Sequence, residues 1–418
     1  MVSSVARLLE PPARHGVAAP SSDTLLTLNA GSSSIKFGLF DADTLAPLAS
    51  GQIESLGGAS AFRARLVAEA SDERQRWDPA EAPASHAQAL QWLLEWIGRR
   101  VSGRRIAAVG HRVVHGGLRH SRPVLLDDEV IEGLAALVPL APLHQPHNLA
   151  GIAAARAAFG KVPQVACFDT AFHRSHAFVE DSFALPRELY DEGVRRYGFH
   201  GLSYESIADT LRRHHPREAD GRVVVAHLGN GASMCALREG RSVASTMGFT
   251  ALDGLPMGTR CGQLDPGVLL YLIERKGFDA AALTELLYHR SGLLGLSGGL
   301  SNDMRTLEAA DSTLAAEAID YFVARIRREL GALAAVLGGI DALVFTGGIG
   351  ENSARIRGRV LQDMRWLGIV PDEAANEAGS ILLSTAHSAV CVLRLATDEE
   401  GMIARHTRQL TRVREAQS

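Results

Sequence analysis

The apolar residues follow two patterns that alternate along the chain. Short apolar runs bounded by polar or Gly-rich turns are typical of strands, and they predict strands at residues 25–28, 35–40, 107–114, 162–168, 223–226, 234–237 and 341–345. Helical patterns occur at residues 128–138, 148–159, 203–213, 266–275, 279–288, 315–336, 353–364 and 397–409. Because strands and helices alternate, the pattern predicts an α/β protein.

One arrangement of strand, Gly-rich turn and returning strand occurs twice, about half a chain apart. When the two copies are aligned, Asn29 falls on His227. This correspondence predicts a duplicated domain. A third Gly-rich loop, at residues 346–352, follows the strand predicted at residues 341–345.

Length and composition indicate a globular protein with more than one domain. The 418 residues are enough for two or three domains, each with its own core. Apolar residues make up 46% and charged residues 22%, which excludes disorder as the main state. The 43 Lys and Arg residues stand against 47 Asp and Glu, a net charge of −4. This balance gives no strong positive field for a phosphate backbone, so no nucleic-acid partner is expected.

The cellular setting is predicted from cysteines and apolar stretches. The four cysteines are far apart and form no C-x-x-C pair, which argues against a disulfide scaffold and fits a cytoplasmic protein. Residues 1–22 contain no apolar core of the signal-peptide type and are predicted to be a disordered extension. The longest apolar stretch, residues 331–345, is shorter than the roughly 20 residues that a bilayer requires, so no membrane partner is expected.

The three Gly-rich loops are candidate phosphate-binding features. Glycine allows backbone N–H groups to approach phosphate oxygens closely. The chain has no G-x-x-x-x-G-K-[ST] motif, and no G-x-G-x-x-G motif opens an early βαβ unit, so neither a P-loop nor a dinucleotide-binding fold is predicted. A plain tight turn explains each loop taken alone. Together, the three loops favour a nucleotide held between two related domains.

Nine short blocks connect these loops with other parts of the chain. They lie at residues 29–36 (NAGSSSIK), 110–117 (GHRVVHGG), 168–173 (FDTAFH), 197–201 (YGFHG), 227–231 (HLGNG), 257–260 (MGTR), 302–305 (NDMR), 348–352 (GIGEN) and 397–400 (TDEE). In this order they resemble the acetate kinase family, over roughly residues 24–412. The resemblance implies the superfamily of acetate and sugar kinases, heat-shock chaperones and actin. It therefore implies an α/β, two-domain, actin-like ATPase fold with duplicated ribonuclease H-like cores and a central cleft.

The resemblance also implies a domain division and an activity. Residues 23–169 with 398–418 would form an N-terminal domain that carries the first phosphate hairpin and the carboxylate and Mg²⁺ site. Residues 170–397 would form a C-terminal domain with the nucleotide-binding and transition-state residues. The implied reaction is the reversible, Mg²⁺-dependent transfer of the γ-phosphoryl group of ATP to acetate, giving acetyl phosphate and ADP. Propionate or butyrate kinase is the near alternative, a chaperone- or actin-like ATPase with a protein client is the remote one, and a homodimer is expected.

The resemblance implies four residues for the chemical step and the carboxylate substrate. Asp169, His200 and Arg260 would be catalytic, and Arg112 would bind the carboxylate. ATP and a carboxylate bring several negative charges into one cleft, and a guanidinium holds such groups in bidentate fashion. Arg260 and His200 would donate to the transferring phosphoryl group. Asp169 is either an acid/base or an orienting group, and orientation is physically easier because acetate is already ionised at pH 7.

Three further sets of residues are implied by the same resemblance. Val114, Leu143 and Phe199 would line the acyl pocket together with the residue at position 251. Mg²⁺, with Mn²⁺ as the alternative, takes oxygen ligands and needs only one or two protein groups, for which the resemblance gives Asn29 and Glu399. ATP would be bound by Lys36, His227, Leu228, Gly229, Asn230, Gly231, Asp303, Met304, Arg305, Gly348, Ile349, Gly350, Glu351 and Asn352.

The chain departs from the family pattern at positions close to these blocks. Gln145 and Gln263 stand where Asn and Asp are usual, and Tyr204 stands where His is usual. Ala251 stands where many acetate kinases have Pro. The smaller residue would leave space for an extra methylene, which predicts better use of propionate than by a proline-bearing relative.

Overall fold

The computed structural model describes residues 23–415, with the exception of residues 32–33, 55, 57–59, 79 and 101–103. The extension predicted at residues 1–22 lies outside the described residues. Two β-sheets flanked by helices organise this part of the chain, so the predicted α/β class is confirmed. Within the described residues, no helix combines the length and the apolar character that a membrane-crossing segment requires.

The first sheet, as described, has eight strands: β1 (Asp23–Ala30), β2 (Ile35–Asp41), β3 (Pro47–Glu54), β4 (Ala61–Leu66), β5 (Ser71–Arg76), β6 (Arg105–Val113), β7 (Val124–Leu125) and β8 (Gln164–Phe168). Their order is β5-β4-β3-β2-β1-β6-β8-β7. Strands β1 to β5 form an antiparallel meander, whereas β6 runs parallel to both β1 and β8.

The second sheet, as described, has five strands: β9 (Arg222–Leu228), β10 (Ala232–Arg238), β11 (Arg241–Ser245), β12 (Ala342–Thr346) and β13 (Cys391–Arg394). Their order is β11-β10-β9-β12-β13, with β9 to β11 antiparallel and β9, β12 and β13 parallel. The inner part of the first sheet, β3-β2-β1-β6-β8, has the same order and the same directions. The duplication predicted from the two hairpins is therefore present in the fold.

The helices of the described residues are α1 (His86–Arg100), α2 (Asp128–Ala135), α3 (Gln145–Phe159), α4 (Phe178–Asp181), α5 (Arg187–Asp191), α6 (Gly201–His214), α7 (Pro216–Ala219), α8 (Pro266–Lys276), α9 (Ala280–His289), α10 (Gly292–Leu296), α11 (Met304–Ala309), α12 (Thr313–Leu337), α13 (Gly347–Asn352), α14 (Ala354–Leu361), α15 (Glu373–Glu377) and α16 (Glu399–Glu415). Short 3-10 turns add residues 138–140, 171–173 and 365–367.

Each sheet is covered on both faces, because successive side chains of a strand point to opposite sides. In β1, Leu26 and Leu28 pack with α1 and α3, whereas Leu25 packs with Ala404 of α16. In the second sheet, one face of β9 packs against α12 and the other against α6. Burial on both faces explains why β8 and β12 are apolar nearly throughout.

The hairpin strands extend further than the apolar runs predicted. Asn29 and His227 were predicted in turns, but each is the next-to-last paired residue of its strand, since Asn29 pairs with Lys36 and His227 with Ser233. Backbone pairing continues beyond the apolar residues and carries both polar side chains to the same end of the two sheets.

Two other local predictions were wrong in detail. The loop predicted at residues 346–352 is a strand end followed by the short helix α13. The helix predicted at residues 397–409 begins two residues later, at Glu399, since the Asp398 side chain caps it by accepting from the Gly401 N–H. The helix that follows, α14, is capped by Ser353, whose side chain accepts from the Ile356 N–H.

The sequence pattern predicted no element between residues 41 and 106, yet this segment contains β3, β4, β5 and α1. A cluster of aromatic side chains holds it together. The Phe62 ring stacks on Phe37 with centroids 6.2 Å apart and meets the edges of Trp92 and Trp96 at 4.6 and 5.1 Å. These aromatic contacts cover one face of the sheet with α1.

Candidate active site

A cleft of about 450 Å³ lies between the two sheets, next to the ends of β1 and β9. Fifteen of the residues singled out in the sequence line it: Asn29, Lys36, Arg112, Val114, Asp169, Phe199, His200, His227, Gly229, Asn230, Gly231, Arg260, Gly348, Glu351 and Glu399. The position predicted for the acyl pocket, Ala251, lines it as well. Residues far apart in the chain therefore converge on one cavity.

A buried ion pair forms the floor of the cleft on the side of the first sheet. Arg112, on β6, donates from Nε and Nη2 to the two carboxylate oxygens of Asp169, at 3.0 and 2.5 Å. Its Nη1 donates to the amide oxygen of Asn29 at 3.1 Å. The Asp169 side chain is only 2% exposed, so this carboxylate depends on the guanidinium for its charge balance.

The two arginines of the cleft have opposite pKa shifts. Burial lowers the pKa of Arg112, but the Asp169 and Glu399 carboxylates outweigh burial and raise it. The pKa of Arg260 is lowered to about 10, mainly by burial. Nearby Arg112 contributes to the lowering, and Tyr288 opposes it. Both guanidiniums stay charged at neutral pH. Arg260 has no carboxylate partner among the described residues, and its Nη1 donates to the Ala251 carbonyl at 2.7 Å.

Two histidines stack at the centre of the cleft. The rings of His200 and His227 are nearly parallel, with centroids 4.4 Å apart. His200 precedes α6 with a left-handed backbone, φ +57°, a conformation that non-glycine residues adopt mainly where the surroundings enforce it. Burial lowers the pKa of His227 to about 4 and lowers that of His200 well below 6.5, so both rings are neutral at pH 7.

The turn between β9 and β10 approaches these groups closely. A Cβ on Gly231 would lie 2.8 Å from Nη2 of Arg260 and 3.1 Å from Nε2 of His200. A side chain at position 231 would therefore displace Arg260 or His200, and the turn backbone faces the same volume as their donors.

Two carboxylates of α16 add negative charge at the rim. Burial raises the pKa of Glu399, with Asp169 adding to the effect and Arg112 opposing it. Burial also raises the pKa of Glu400, and the neighbouring Glu399 adds to it. A hydrogen bond from its own backbone N–H opposes these effects on the pKa of Glu400. The Glu399 carboxylate has no hydrogen-bond partner within the described part of the chain, so its oxygens are available to a ligand.

Glu351 has a different environment from Glu399, although both line the cleft. Its Oε1 accepts from the N–H groups of Gly347 and Thr397, at 2.9 and 3.3 Å, and from the Thr346 hydroxyl at 3.3 Å. One carboxylate thus joins the start of α13 to the segment that leads into α16. The side chain organises backbone that faces the cleft.

Eight of the residues predicted for the site do not line this cleft. Asp303 caps α11 and pairs with Arg305, whose side chain is 89% exposed. Leu228 and Met304 are core residues, and the Asn352 amide donates to the Gly348 carbonyl. The remaining three are Leu143, Ile349 and Gly350. Their contacts with ATP or the acyl group stay predictions.

The cleft also contains residues that sequence reasoning missed. His144 lines it next to the predicted Leu143, and burial together with Arg260 and Arg112 lowers its pKa to about 3. Gly347, Thr397 and Glu400 line it beside predicted neighbours. Thr397 and Glu400 lie inside the block at residues 397–400, and Gly347 directly precedes the block at residues 348–352, but none of the three was assigned a role. His144 belongs to none of the nine blocks, so the blocks gave no signal for it.

Duplicated sheets of this order, with a Gly-lined cleft between them that contains two arginines, define a two-domain phosphotransferase of the actin-like class. A model of the acetokinase family matches residues 24–405. The chain belongs to the acetokinase family and is an ATP-dependent phosphotransferase, as the sequence blocks predicted.

Individual relatives agree with this membership. An acetate kinase of Methylocella silvestris is 59% identical over 392 residues, 92% of this chain and 96% of that protein. The crystal structure of an acetate kinase of Porphyromonas gingivalis matches with a TM-score of 0.83 and 37% identity, over 93% of this chain and 100% of that chain. A propionate kinase of Francisella tularensis matches with a TM-score of 0.86 and 35% identity, over 93% and 99%. The predicted fold is confirmed.

Proposed function

We propose that this protein transfers the γ-phosphoryl group of ATP to acetate, giving acetyl phosphate and ADP, in a reversible reaction. The observation that supports it most is the pair of cleft arginines, one bound to Asp169 beside apolar Val114 and Phe199, the other without a carboxylate partner among the described residues. A small carboxylate needs a cation next to an apolar wall, and a transferring phosphoryl group needs a second cation.

Arg112 would bind the acetate carboxylate, and Val114 and Phe199 would contact its methyl group. Phosphoryl transfer depends mainly on position and charge, because its transition state carries charge on the equatorial oxygens. Arg260 and His200, which both border the Gly231 turn, would donate to those oxygens. The contacts would strengthen as charge spreads, which lowers the barrier.

Asp169 would act as an orienting group. Acetate is ionised at neutral pH and needs no base to remove a proton. The bidentate contact with Asp169 fixes the direction of the Arg112 guanidinium. A fixed guanidinium holds the attacking carboxylate oxygen in line with the phosphoryl group.

ATP would lie along the two glycine-rich segments of the second half, Gly229 to Gly231 and Gly347 to Gly348. Gly348 has no heavy atom within 4 Å of its Cβ position, so the backbone there is open to the cleft. Glu351 would not contact phosphate directly, because a carboxylate repels phosphate. It would instead hold the backbone of this segment in place. Lys36 would add positive charge from β2.

Mg²⁺, or Mn²⁺ in its place, would be held by Glu399 and Asn29. The donor set fits, since carboxylate and amide oxygens are the ligands that these ions prefer. Within the described residues, no three His, Cys, Asp or Glu side chains form a metal-binding group. Mg²⁺ keeps several waters and needs few protein ligands. When bound, it would neutralise phosphate charge.

Propionate is the second candidate substrate. Ala251 lines the cleft, and its carbonyl accepts from Arg260. Because its side chain is small, space would remain next to the methyl group of a bound acetate. The match to a propionate kinase of Francisella tularensis supports this alternative. One buried methylene is worth about 0.8 kcal/mol, which is only a several-fold preference.

A hydroxamate assay with ATP and Mg²⁺ tests the proposal, using acetate, propionate and butyrate as acceptors. We expect acyl phosphate from acetate, with propionate used at a comparable rate and butyrate poorly. ATP hydrolysis without acyl phosphate from any of the three would contradict the proposed function.

We also propose a domain division and a dimer. The first sheet ends at Phe168 and the second at Arg394, which supports boundaries near residues 169 and 397, with α16 returning to the first half.

Helix α8 exposes Leu270, Tyr271 and Ile273, at 59, 52 and 47%. An apolar helix face of this kind supports self-association as a homodimer, which sedimentation measures directly.

A further inference from the structure

A chain of three polar groups leads from the cleft into the core of the second half. Nδ1 of His200 lies 2.8 Å from Oγ of Ser233, and this Oγ lies 2.5 Å from the phenolic oxygen of Tyr204. Ser233 and Tyr204 are fully buried. Within the described residues, the Tyr204 hydroxyl has no other hydrogen-bond partner, and Nε2 of His200 has none at all.

The backbone holds these groups in register. Tyr204 lies in the first turn of α6, and its N–H donates to the carbonyl of His200, the residue before the helix, at 3.1 Å. Ser233 lies in β10, where it pairs with His227 across the hairpin. Side chains from a helix start and from a neighbouring strand therefore meet behind the His200 ring.

A count of protons leaves one good arrangement. Burial raises the pKa of Tyr204 well above 10, so the phenol keeps its proton. If this proton is donated to Ser233, then Ser233 donates to Nδ1 of His200, and both hydroxyl protons have an acceptor. In the reverse direction, the buried Tyr204 proton would have no acceptor, which is costly.

The arrangement fixes the form in which His200 meets its ligand. A neutral imidazole that accepts at Nδ1 carries its proton on Nε2. Nε2 is the atom next to the Gly231 turn and Arg260, and it borders the cleft. The opposite tautomer would present a lone pair to a phosphoryl oxygen, which repels it.

We propose that Tyr204, acting through Ser233, is a positioning residue that holds His200 as the Nε2–H tautomer and so keeps a hydrogen-bond donor facing the transferring phosphoryl group. Tyr204 touches neither substrate. This inference rests on the proposed function and adds a residue to it.

Steady-state kinetics of Tyr204→Phe give the first test. The substitution removes one oxygen and keeps the ring, and we expect kcat to fall about 10- to 100-fold while KM for ATP and acetate changes less than about threefold. Tyr190→Phe is the matched control, because its hydroxyl contacts Asp181 outside the cleft, at 3.3 Å. We expect this control to keep the wild-type kcat.

The same substitution in a His200→Gln background separates positioning from damage to the fold. If Tyr204 acts through His200, its loss should lower kcat less than about twofold once the imidazole is absent. An equal fall in both backgrounds, or a change confined to KM, would overturn the proposal. Ser233→Ala provides a second route to the same comparison where Tyr204→Phe yields no folded protein.

Nitrogen-15 NMR of histidine-labelled wild-type protein gives a readout independent of activity. The His200 signals, identified by their loss in His200→Gln, should show a protonated Nε2 and an unprotonated Nδ1 at pH 7.5. A protonated Nδ1 would overturn the proposal. Failure of the wild type to form acyl phosphate would instead refute the proposed function and leave the tautomer measurable.

Discussion

Gly231→Ala is the sharpest test of the cleft geometry. The added methyl carbon would lie 2.8 Å from Nη2 of Arg260 and 3.1 Å from Nε2 of His200, whereas ordinary contacts begin at 3.4 Å. The guanidinium must therefore retreat by about 0.6 Å and the imidazole by about 0.3 Å. Arg260 cannot move freely, because its Nη1 is bonded to the Ala251 carbonyl.

Displacements of this size matter more for catalysis than for stability. A misplacement of about 1 Å costs about 100-fold in rate, so 0.3–0.6 Å at two donors predicts a fall in kcat of about 10- to 100-fold. The clash involves the ends of side chains rather than backbone, and Gly231 is not among the glycines with positive φ. We therefore expect the free energy of unfolding to change by less than about 1 kcal/mol.

The hydroxamate assay measures kcat and KM, and urea unfolding measures stability. Gly98→Ala is the control, since no heavy atom lies within 4 Å of its Cβ position in α1 and alanine favours the helix by about 0.5–1 kcal/mol. An unchanged kcat for Gly231→Ala would refute the reasoning. So would a loss of stability large enough to account for the loss of rate.

Three further predictions follow from the same cleft and its surroundings. Arg112→Lys keeps the charge but loses the fork on Asp169, so KM for acetate should rise at least about tenfold while the Kd for ATP, measured by nucleotide titration, stays within about threefold. Ala251→Pro should lower kcat/KM for propionate more than for acetate, and an equal fall for both acids would show that position 251 does not contact the acyl group. Burial lowers the pKa of His111 and of His176 to about 4, from about 6.5 in the unfolded chain. Between these values the unfolded chain binds more protons, so the free energy of unfolding should fall as pH drops from 6.5 towards 4, by about 1.4 kcal/mol per unit for each such histidine. Urea unfolding at pH 7.5 and 5.0 measures this loss, and equal stabilities would contradict it.

The sequence predicted the fold and the site best where a short stretch of chain carries both the strand pattern and the residues of the cleft. The hairpins at Asn29 and His227 were recognisable because a Gly-rich turn follows an apolar run, and the topology then brings both to one cleft. By contrast, β3 to β5 form the edge of the first sheet, with polar residues on the exposed face and few long apolar runs. Their pairing depends on neighbours that a single strand pattern does not contain.

Contacts between distant segments decided what the sequence could not. Thr397 and Asp398 are both suitable caps, and the choice depends on two remote acceptors: Glu351 binds the Thr397 N–H, and Ser206 binds the Asp398 N–H. For the same reason, the proximity of His144 to both cleft arginines could not be predicted from local spacing. The burial of Tyr204 behind His200 likewise appears only when helix and strand are packed together.

The position of α16 has a consequence for the synthesis of the chain on the ribosome. One face of the first sheet, formed by Leu25, Phe40 and Ala108, is covered by Ala404 of α16, which follows the whole second sheet in the chain. Until α16 has been synthesised, this face of the first sheet lacks its cover in the nascent chain. We therefore expect the core of the first half to be completed only after the second half has been made.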